Sequence, residues 1–473
     1  MLKPSMMMCW VGGAFGLTLA GMTPTIYAQC EATETDQISA SDDRYIRFGA
    51  STGISGNTMV VGAPDADGLS GSAYVYDFDG SSWNEFPLLA TDTGADDQYG
   101  YSVAIDGNVA VVGAPYHTHE HFWQGAAYVF RFDGKSWTQE QELLASDASS
   151  GHFFGWSVAI DGDVIVVGAR TANAGGGAAY VFRHNGSTWG EETVLTVPDP
   201  QLLDFFGNSV DIDGQVILVG APGEDADQLT LDSGSAYVFH WRAGAQPWGV
   251  GAQITGSDIM ESDMFGWAVA ISGNAAIVGA NTEGVPLDTG AAYLFRFDGA
   301  NWNEEQKLIA PKGTPDRNEF ARAVAVDGNV ALVAAIRDDA ATTSAGAVYV
   351  YSFNGSTWTE QARLTAADGV SFDNHGWSIA LHGDVAVVGA TGVGGGDGAA
   401  YIYDGLADGM PDQCQGNPCP WDLGGDGTVG INDFLALLSA WGPNPGHPAD
   451  LNGDGTVGIS DFLALLANWG DCP

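Results

Sequence analysis

One unit is written seven times along this 473-residue chain, and that repetition constrains the fold more than any other feature. Each copy opens on an aromatic-glycine pair or a degenerate form of it: Phe48-Gly49, Tyr99-Gly100, Phe154-Gly155, Phe206-Gly207, Phe265-Gly266, Phe320-Ala321 and His375-Gly376. The spacing is 51 to 59 residues. A second landmark follows each start: VVGAP, VVGAP, VVGAR, LVGAP, IVGAN, LVAAI and VVGAT. A tyrosine run comes third, at Tyr74, Tyr128, Tyr180, Tyr237, Tyr293, Tyr349 and Tyr401, and six copies add a tryptophan before a polar stretch.

Each copy reads as four strands. In the third, the spacing predicts strands at 157–160, 164–169, 178–183 and 188–196. The second is apolar on both faces, so it belongs inside. The fourth alternates polar and apolar residues, as a half-exposed outer strand does. Asn185-Gly186 marks a tight hairpin between the third and fourth strands. Four-stranded units repeated seven times predict a mainly β fold, a seven-bladed β-propeller. The last copy stops after its third strand, near Tyr403. Residues near Gln37–Ala40 match the end of a fourth strand elsewhere, so they are expected to complete blade seven and remove an open edge.

The aromatic-Gly and Gly-Ala-Pro landmarks together resemble the FG-GAP repeats of integrin α-chain propellers and their bacterial relatives, over residues 37–404. Such repeats often carry a calcium loop between the first two strands. This chain departs from that pattern. The slot holds Ser55-Gly56-Asn57, Asp106-Gly107-Asn108, Asp161-Gly162-Asp163, Asp213-Gly214-Gln215, Ser272-Gly273-Asn274, Asp327-Gly328-Asn329 and His382-Gly383-Asp384. Glycine is constant and its neighbours vary, whereas calcium wants six to eight oxygens. The reading is a hairpin turn of type I′, with positive φ at both central residues.

Fifty-nine acids face fifteen bases, a net charge of -44. That field disfavours nucleic acid and anionic membranes. No run after the first residues is long and apolar enough to span a bilayer. Residues 1–28 read as a signal peptide, with Lys3 ahead of an apolar stretch and Ile26-Tyr27-Ala28 before the cut. The expected product is exported, to the extracellular space, cell surface or periplasm. Cys30, Cys414, Cys419 and Cys472 then remain, an even number with three possible connectivities. Cys30–Cys414 and Cys419–Cys472 are preferred, because each pair brackets one domain.

With tight turns on one face of the disc, the longer loops gather on the other, and binding usually lives on such loops. In integrin-like propellers that loop face takes the ligand, and the resemblance implies the same here, for a protein or glycan. The second loop, YHTHEHFWQG, is the most unusual. His117, His119 and His121 alternate; extended, they would face one side and suit zinc or copper. The competing reading is polar contacts beside aromatics. Glu224, Asp225, Asp227 and Asp232 form an acidic loop that either attracts a cation or is simply solvated. No nucleophile elbow, zinc-protease helix or phosphate loop is present.

Residues 29–405 therefore form the propeller and 406–418 a proline-containing linker, leaving 419–473 as a second, small α-helical domain. That domain duplicates DLGGDGTVGINDFLALLSAWG as DLNGDGTVGISDFLALLANWG, offset by 28 residues. Each copy begins as an EF-hand-type calcium loop. The first offers Asp422, Asp426, the Thr428 carbonyl and Asp433. The second offers Asp450, Asn452, Asp454, the Thr456 carbonyl and Asp461. Gly424 stands where the first loop needs a third side-chain ligand, so that site is expected to be the weaker. Phe434, Leu437, Leu438 and Trp441, and then Phe462, Leu465, Leu466 and Trp469, form helical stripes expected to pack together. No amphipathic helix precedes either loop, and the segment resembles a type I dockerin. Dockerins dock on cohesins, and the resemblance places Ile431, Asn432, Ile459 and Ser460 at partner-choosing positions; the alternative for both isoleucines is helix packing. The expected function is a non-enzymatic, adhesion-type propeller held through calcium to a cohesin-like protein or an envelope scaffold. The rivals are a dockerin-bearing carbohydrate-active enzyme, such as a polysaccharide hydrolase, and a structural envelope protein.

Overall fold

The computed structural model describes residues 34–41, 46–225, 232–244, 247–282, 289–311, 318–339 and 342–406, with short pieces at 428–429, 434, 437, 442–443, 456–457, 462 and 470–471. The propeller is there: seven four-stranded antiparallel sheets, each ordered from an inner strand outward. In the third, the strands are Phe154–Asp161, Val164–Ala169, Ala178–His184 and Trp189–Leu195. All six residues of Val164–Ala169 are buried, as an apolar run flanked by other blades must be. The seventh sheet consists of His375–His382, Val385–Ala390 and Ala399–Tyr403, with Asp36–Ile38 as its outer strand. Asp36 pairs with Ile402 and Ile38 with Ala400, so the N-terminal segment closes the ring as its sequence implied.

No blade has a core of its own. The described residues form seven apolar clusters, one at each junction between neighbours. At one junction Val109, Val111 and Val129 of blade two meet Phe154, Ile165, Val167 and Tyr180 of blade three. At the closing junction Ile38, Val387 and Ile402 meet Phe48, Val61 and Tyr74. The opening aromatic of each unit is the knob: Phe154 lies edge-on to Tyr180 at 5.3 Å and to Phe182 at 6.0 Å. The second-strand glycine is needed for the same contact. A Cβ on Gly168 would lie 2.1 Å from the Gly207 carbonyl oxygen of the next blade.

Two turns differ from expectation. At the seven first hairpins the glycine has φ between +52° and +58°, but the residue after it is never left-handed among the described residues. Asp161 pairs with Val164, leaving Gly162 and Asp163 as the central residues. Glycine at the first central position with a right-handed second residue is type II′, not type I′. The third-to-outer connection, Asn185 to Thr188, spans four residues, because His184 pairs with Trp189. There Asn185 Oδ1 accepts from the Ser187 and Thr188 amides at 3.0 and 3.1 Å.

The acids of the first hairpins have a different use. Asp106 Oδ2 accepts from the Gly162 amide at 2.8 Å, and Asp161 Oδ2 accepts from the Gly214 amide at 2.5 Å. Asp213 accepts from Gly273, and Asp327 from Gly383 at 2.7 Å. Ser55 and Ser272 hydroxyls accept from Gly107 and Gly328 at 3.0 and 3.1 Å. A belt of six hydrogen bonds thus joins the turns in order from blade one to blade seven. Serine and aspartate interchange because the belt needs only an acceptor.

In the C-terminal pieces, Thr428–Val429 pairs with Gly470–Asp471 and Thr456–Val457 with Gly442–Pro443. Each copy of the duplication thus pairs with the end of the other. Phe434 and Phe462, the described aromatics of the two stripes, meet at 5.2 Å, and Leu437 is fully buried. The carboxylate and amide ligands expected at Asp422, Asp426, Asp433, Asp450, Asn452, Asp454 and Asp461 lie outside the described residues. So do Ile431, Asn432, Ile459, Ser460, all four cysteines and residues 1–28. No described helix is long and apolar enough to cross a membrane.

Candidate binding face

The second-to-third-strand loops and the inter-blade loops share one face. Six bridges join them, such as Gly125 to Phe154 and Gly346 to His375. Backbone hydrogen bonds continue the seam: Phe153 and Phe154 amides donate to Trp123 and Gln124 carbonyls at 3.2 and 3.0 Å.

At the centre of this face lies a cavity of about 300 Å³. The residue after each opening pair lines it: Ala50, Tyr101, Trp156, Asn208, Trp267, Arg322 and Trp377. Sequence reasoning missed them. The signal was present, since a slot beginning the innermost strand holds one tyrosine and three tryptophans in a chain whose other landmarks repeat. The Arg322 guanidinium sits over Trp267 at 5.3 Å and Trp377 at 4.8 Å. Arg170 lies over Trp156 at 3.6 Å and Phe205 at 5.1 Å. Desolvation lowers both arginine pKa values, and burial pushes the Tyr101 phenol up to about 12. Arg47 at the rim pairs with Asp65 at 2.8 Å. Glu319, which acts on Arg322, is itself paired with Arg337 at 2.8 Å. A chain of net charge -44 thus places cations and indoles, not carboxylates, in the lining of its central cavity.

From this cup an aromatic ridge runs outward through blade two. Tyr101 meets Trp156 at 4.6 Å, Trp156 meets Phe153 at 6.3 Å, and Phe153 meets Tyr116 at 5.2 Å. Tyr116 meets Trp123 at 5.6 Å, and Trp123 stacks on Phe122 at 4.3 Å. Phe122 is 58% exposed. Leu202, Leu203, Met260, Val370 and Phe372 add exposed apolar groups on the inter-blade loops of other blades. Patches of this kind on a soluble surface mark binding sites.

The histidine loop does not run extended. Gln124 Oε1 accepts from the Glu120 and His121 amides at 3.2 and 2.7 Å and curls it. The expected alternation is broken as a result. His117 and His119 converge with Glu142 of the outer strand, their ligand atoms within 4.8 Å of one another; His121 is not in that group. His117 is buried, and its Nδ1 lies 2.8 Å from Asp97 Oδ2. The acidic loop is partly explained without a cation: Glu224 accepts from the Tyr237 hydroxyl at 2.5 Å, and Asp225 from the Asp232 amide at 2.8 Å. Asp227 lies outside the described residues.

A closed ring of repeated blades with a uniform turn side and a variable, aromatic loop side defines a seven-bladed β-propeller. The FG-GAP repeat matches at residues 33–76, 84–130, 137–182, 189–239, 248–295, 302–351 and 358–403, well over half of the chain. The chain belongs to the FG-GAP repeat family. It is 25% identical to integrin alpha-3 of Mus musculus over 224 residues, 42% of this chain and 20% of that protein. It is 28% identical to integrin alpha-PS3 of Drosophila melanogaster over 219 residues, 40% and 20% of the two. The match spans about a fifth of the length of these relatives. A solved structure, a putative 6-phosphogluconolactonase from Bacteroides fragilis, superposes with a TM-score of 0.50 at 14% identity, covering 75% of this chain and 92% of that one. At such identity the likeness concerns fold alone.

Proposed function

We propose that this chain is an exported, non-enzymatic binding protein of adhesion type, acting outside the cell or at its surface. The loop face of the propeller holds a protein or glycan ligand. The duplicated C-terminal segment binds calcium and attaches the chain, in the manner of a dockerin, to a cohesin-like protein or an envelope scaffold. One observation carries the reading for the propeller: the exposed aromatic ridge ends in a cup where Arg170 and Arg322 stack on indoles. Tryptophan, tyrosine and arginine are the residues that dominate binding hot spots, and flat aromatic faces also take sugar rings. The charge pattern favours a ligand with carboxylates or hydroxyls at its tip, facing the guanidinium forks.

The test is an array of extracellular proteins and glycans probed with the full chain and with Trp123→Ala and Arg322→Ala. The expected outcome is a ligand class whose binding falls at least about tenfold in both variants. Retained binding in both would move the site off this face. Polysaccharide turnover abolished by acid-to-amide changes on one face would replace the reading with the enzymatic one.

A further inference from the structure

We propose that blade two holds a zinc ion on His117 Nε2, an imidazole nitrogen of His119 and Glu142 Oε1, with Asp97 as the positioning residue that orients His117. The other blades show what this place in the fold ordinarily holds. In five of the other six, the third-strand tyrosine hydroxyl is satisfied by a carboxylate: Tyr180 by Asp147 at 2.6 Å, Tyr237 by Glu224 at 2.5 Å, Tyr293 by Asp258 at 2.8 Å, Tyr401 by Asp368 at 2.9 Å, and Tyr349 by Asp338. In blade two Tyr128 faces Asp92 in the corresponding place, and beside it two further buried polar atoms, His117 Nε2 and Glu142 Oε1, have no hydrogen-bond partner. His117 is only 4% exposed. Polar atoms buried at this depth are normally hydrogen-bonded, so two that face each other unpartnered point to a missing ligand.

The geometry identifies it as a metal. Asp97 Oδ2 lies 2.8 Å from His117 Nδ1; with the proton on Nδ1, the Nε2 lone pair is directed at Glu142 Oε1, 3.7 Å away. In that tautomer two acceptors face each other, an arrangement that a cation between them would hold. In a tetrahedral zinc site, bonds of about 2.0–2.1 Å set ligand atoms about 3.3 Å apart. The present separations, all within 4.8 Å, need only a small contraction, which the exposed His119 side chain supplies by rotation. Two imidazoles and one carboxylate suit zinc, whereas calcium would ask for six or more oxygens. The carboxylate–histidine–metal relay through Asp97 is the usual outer-shell arrangement. Asp97 also accepts from the Gly94 amide at 2.6 Å, so the ion would tie the inter-blade loop, the histidine loop and the outer strand together beside Phe122 and Trp123.

The experiment titrates the full chain with zinc by calorimetry, and with cobalt(II) as a spectroscopic substitute, in calcium-saturated buffer. His119→Ala and Glu142→Gln are the decisive variants, one at an exposed position and one isosteric. Near-ultraviolet circular dichroism checks that each is folded. The expected result is one zinc fewer in each variant and loss of the visible tetrahedral cobalt band. Asp97→Asn should weaken zinc by about 10–100-fold while keeping the stoichiometry. Equal zinc uptake by wild type, His119→Ala and Glu142→Gln overturns the proposal, as does no uptake by the folded wild type.

Discussion

His375 occupies the opening-aromatic slot of blade seven, where six other blades place phenylalanine or tyrosine. It meets Tyr401 edge-on at 5.1 Å and Tyr403 at 5.8 Å, close to the Phe154 contacts with Tyr180 and Phe182. Its Nε2 shares a 3.0 Å hydrogen bond with the Tyr403 hydroxyl, while Nδ1 is buried without a partner. Burial lowers its pKa to about 3. The unfolded chain holds a histidine near pKa 6.5 and so binds the proton first. Stability from this group is full above about pH 6.5 and is lost as pH falls toward 3. Linkage gives a loss of about 2 kcal/mol at pH 5, from 1.5 pH units at 1.36 kcal/mol each. Asp211, whose carboxyl desolvation pushes up to about 7, acts in the opposite direction, so raw acid curves mix signs. The double variant His375→Phe/Tyr403→Phe isolates the histidine, because it recreates blade three and leaves no hydroxyl stranded. A ring this large moves its midpoint temperature only about 2–3 °C for 2 kcal/mol, so urea unfolding followed by tryptophan fluorescence is the better assay. The variant should lose about 2 kcal/mol less than wild type between pH 7 and pH 5. Indistinguishable pH dependence in the two proteins would refute the reasoning.

Three further outcomes are expected. Gly168→Ala places a methyl 2.1 Å from the Gly207 carbonyl oxygen and should cost at least about 2 kcal/mol, read as a lower unfolding midpoint. Asp161→Ala removes the acceptor of the Gly214 amide and should cost about 1 kcal/mol, with Asp161→Ser restoring most of it; calcium stoichiometry should be unchanged in both, and a lost calcium would revive the metal reading of that turn. Asp454→Ala should remove the tighter calcium site of the C-terminal duplication, seen in calorimetry as one ion fewer; undiminished uptake refutes the ligand set.

The blade count, the strand order within a blade and the N-terminal closure were legible because they rest on periodicity. An apolar run such as VIVVGA has no exposed alternative, and a three-stranded last copy demands a partner strand. The turn type was misjudged because glycine at one central position is compatible with two hairpin classes, and only φ at Asp163 separates them. The central cup was overlooked because its residues are one per blade, about 55 positions apart, and become neighbours only when the ring closes.

The histidine loop draws the same boundary. Residue type and proximity in sequence were enough to single out His117 and His119 as candidate ligands. The third partner, Glu142, lies on another strand, and the curl imposed by Gln124 removes His121 from the cluster. Local pattern determined that this chain makes seven blades, because strand periodicity and inter-blade burial are properties of short segments. Which side chains face one another across a closed ring depends on contacts between segments far apart in the chain, so the tertiary structure alone decided where arginine meets tryptophan and where histidine meets glutamate.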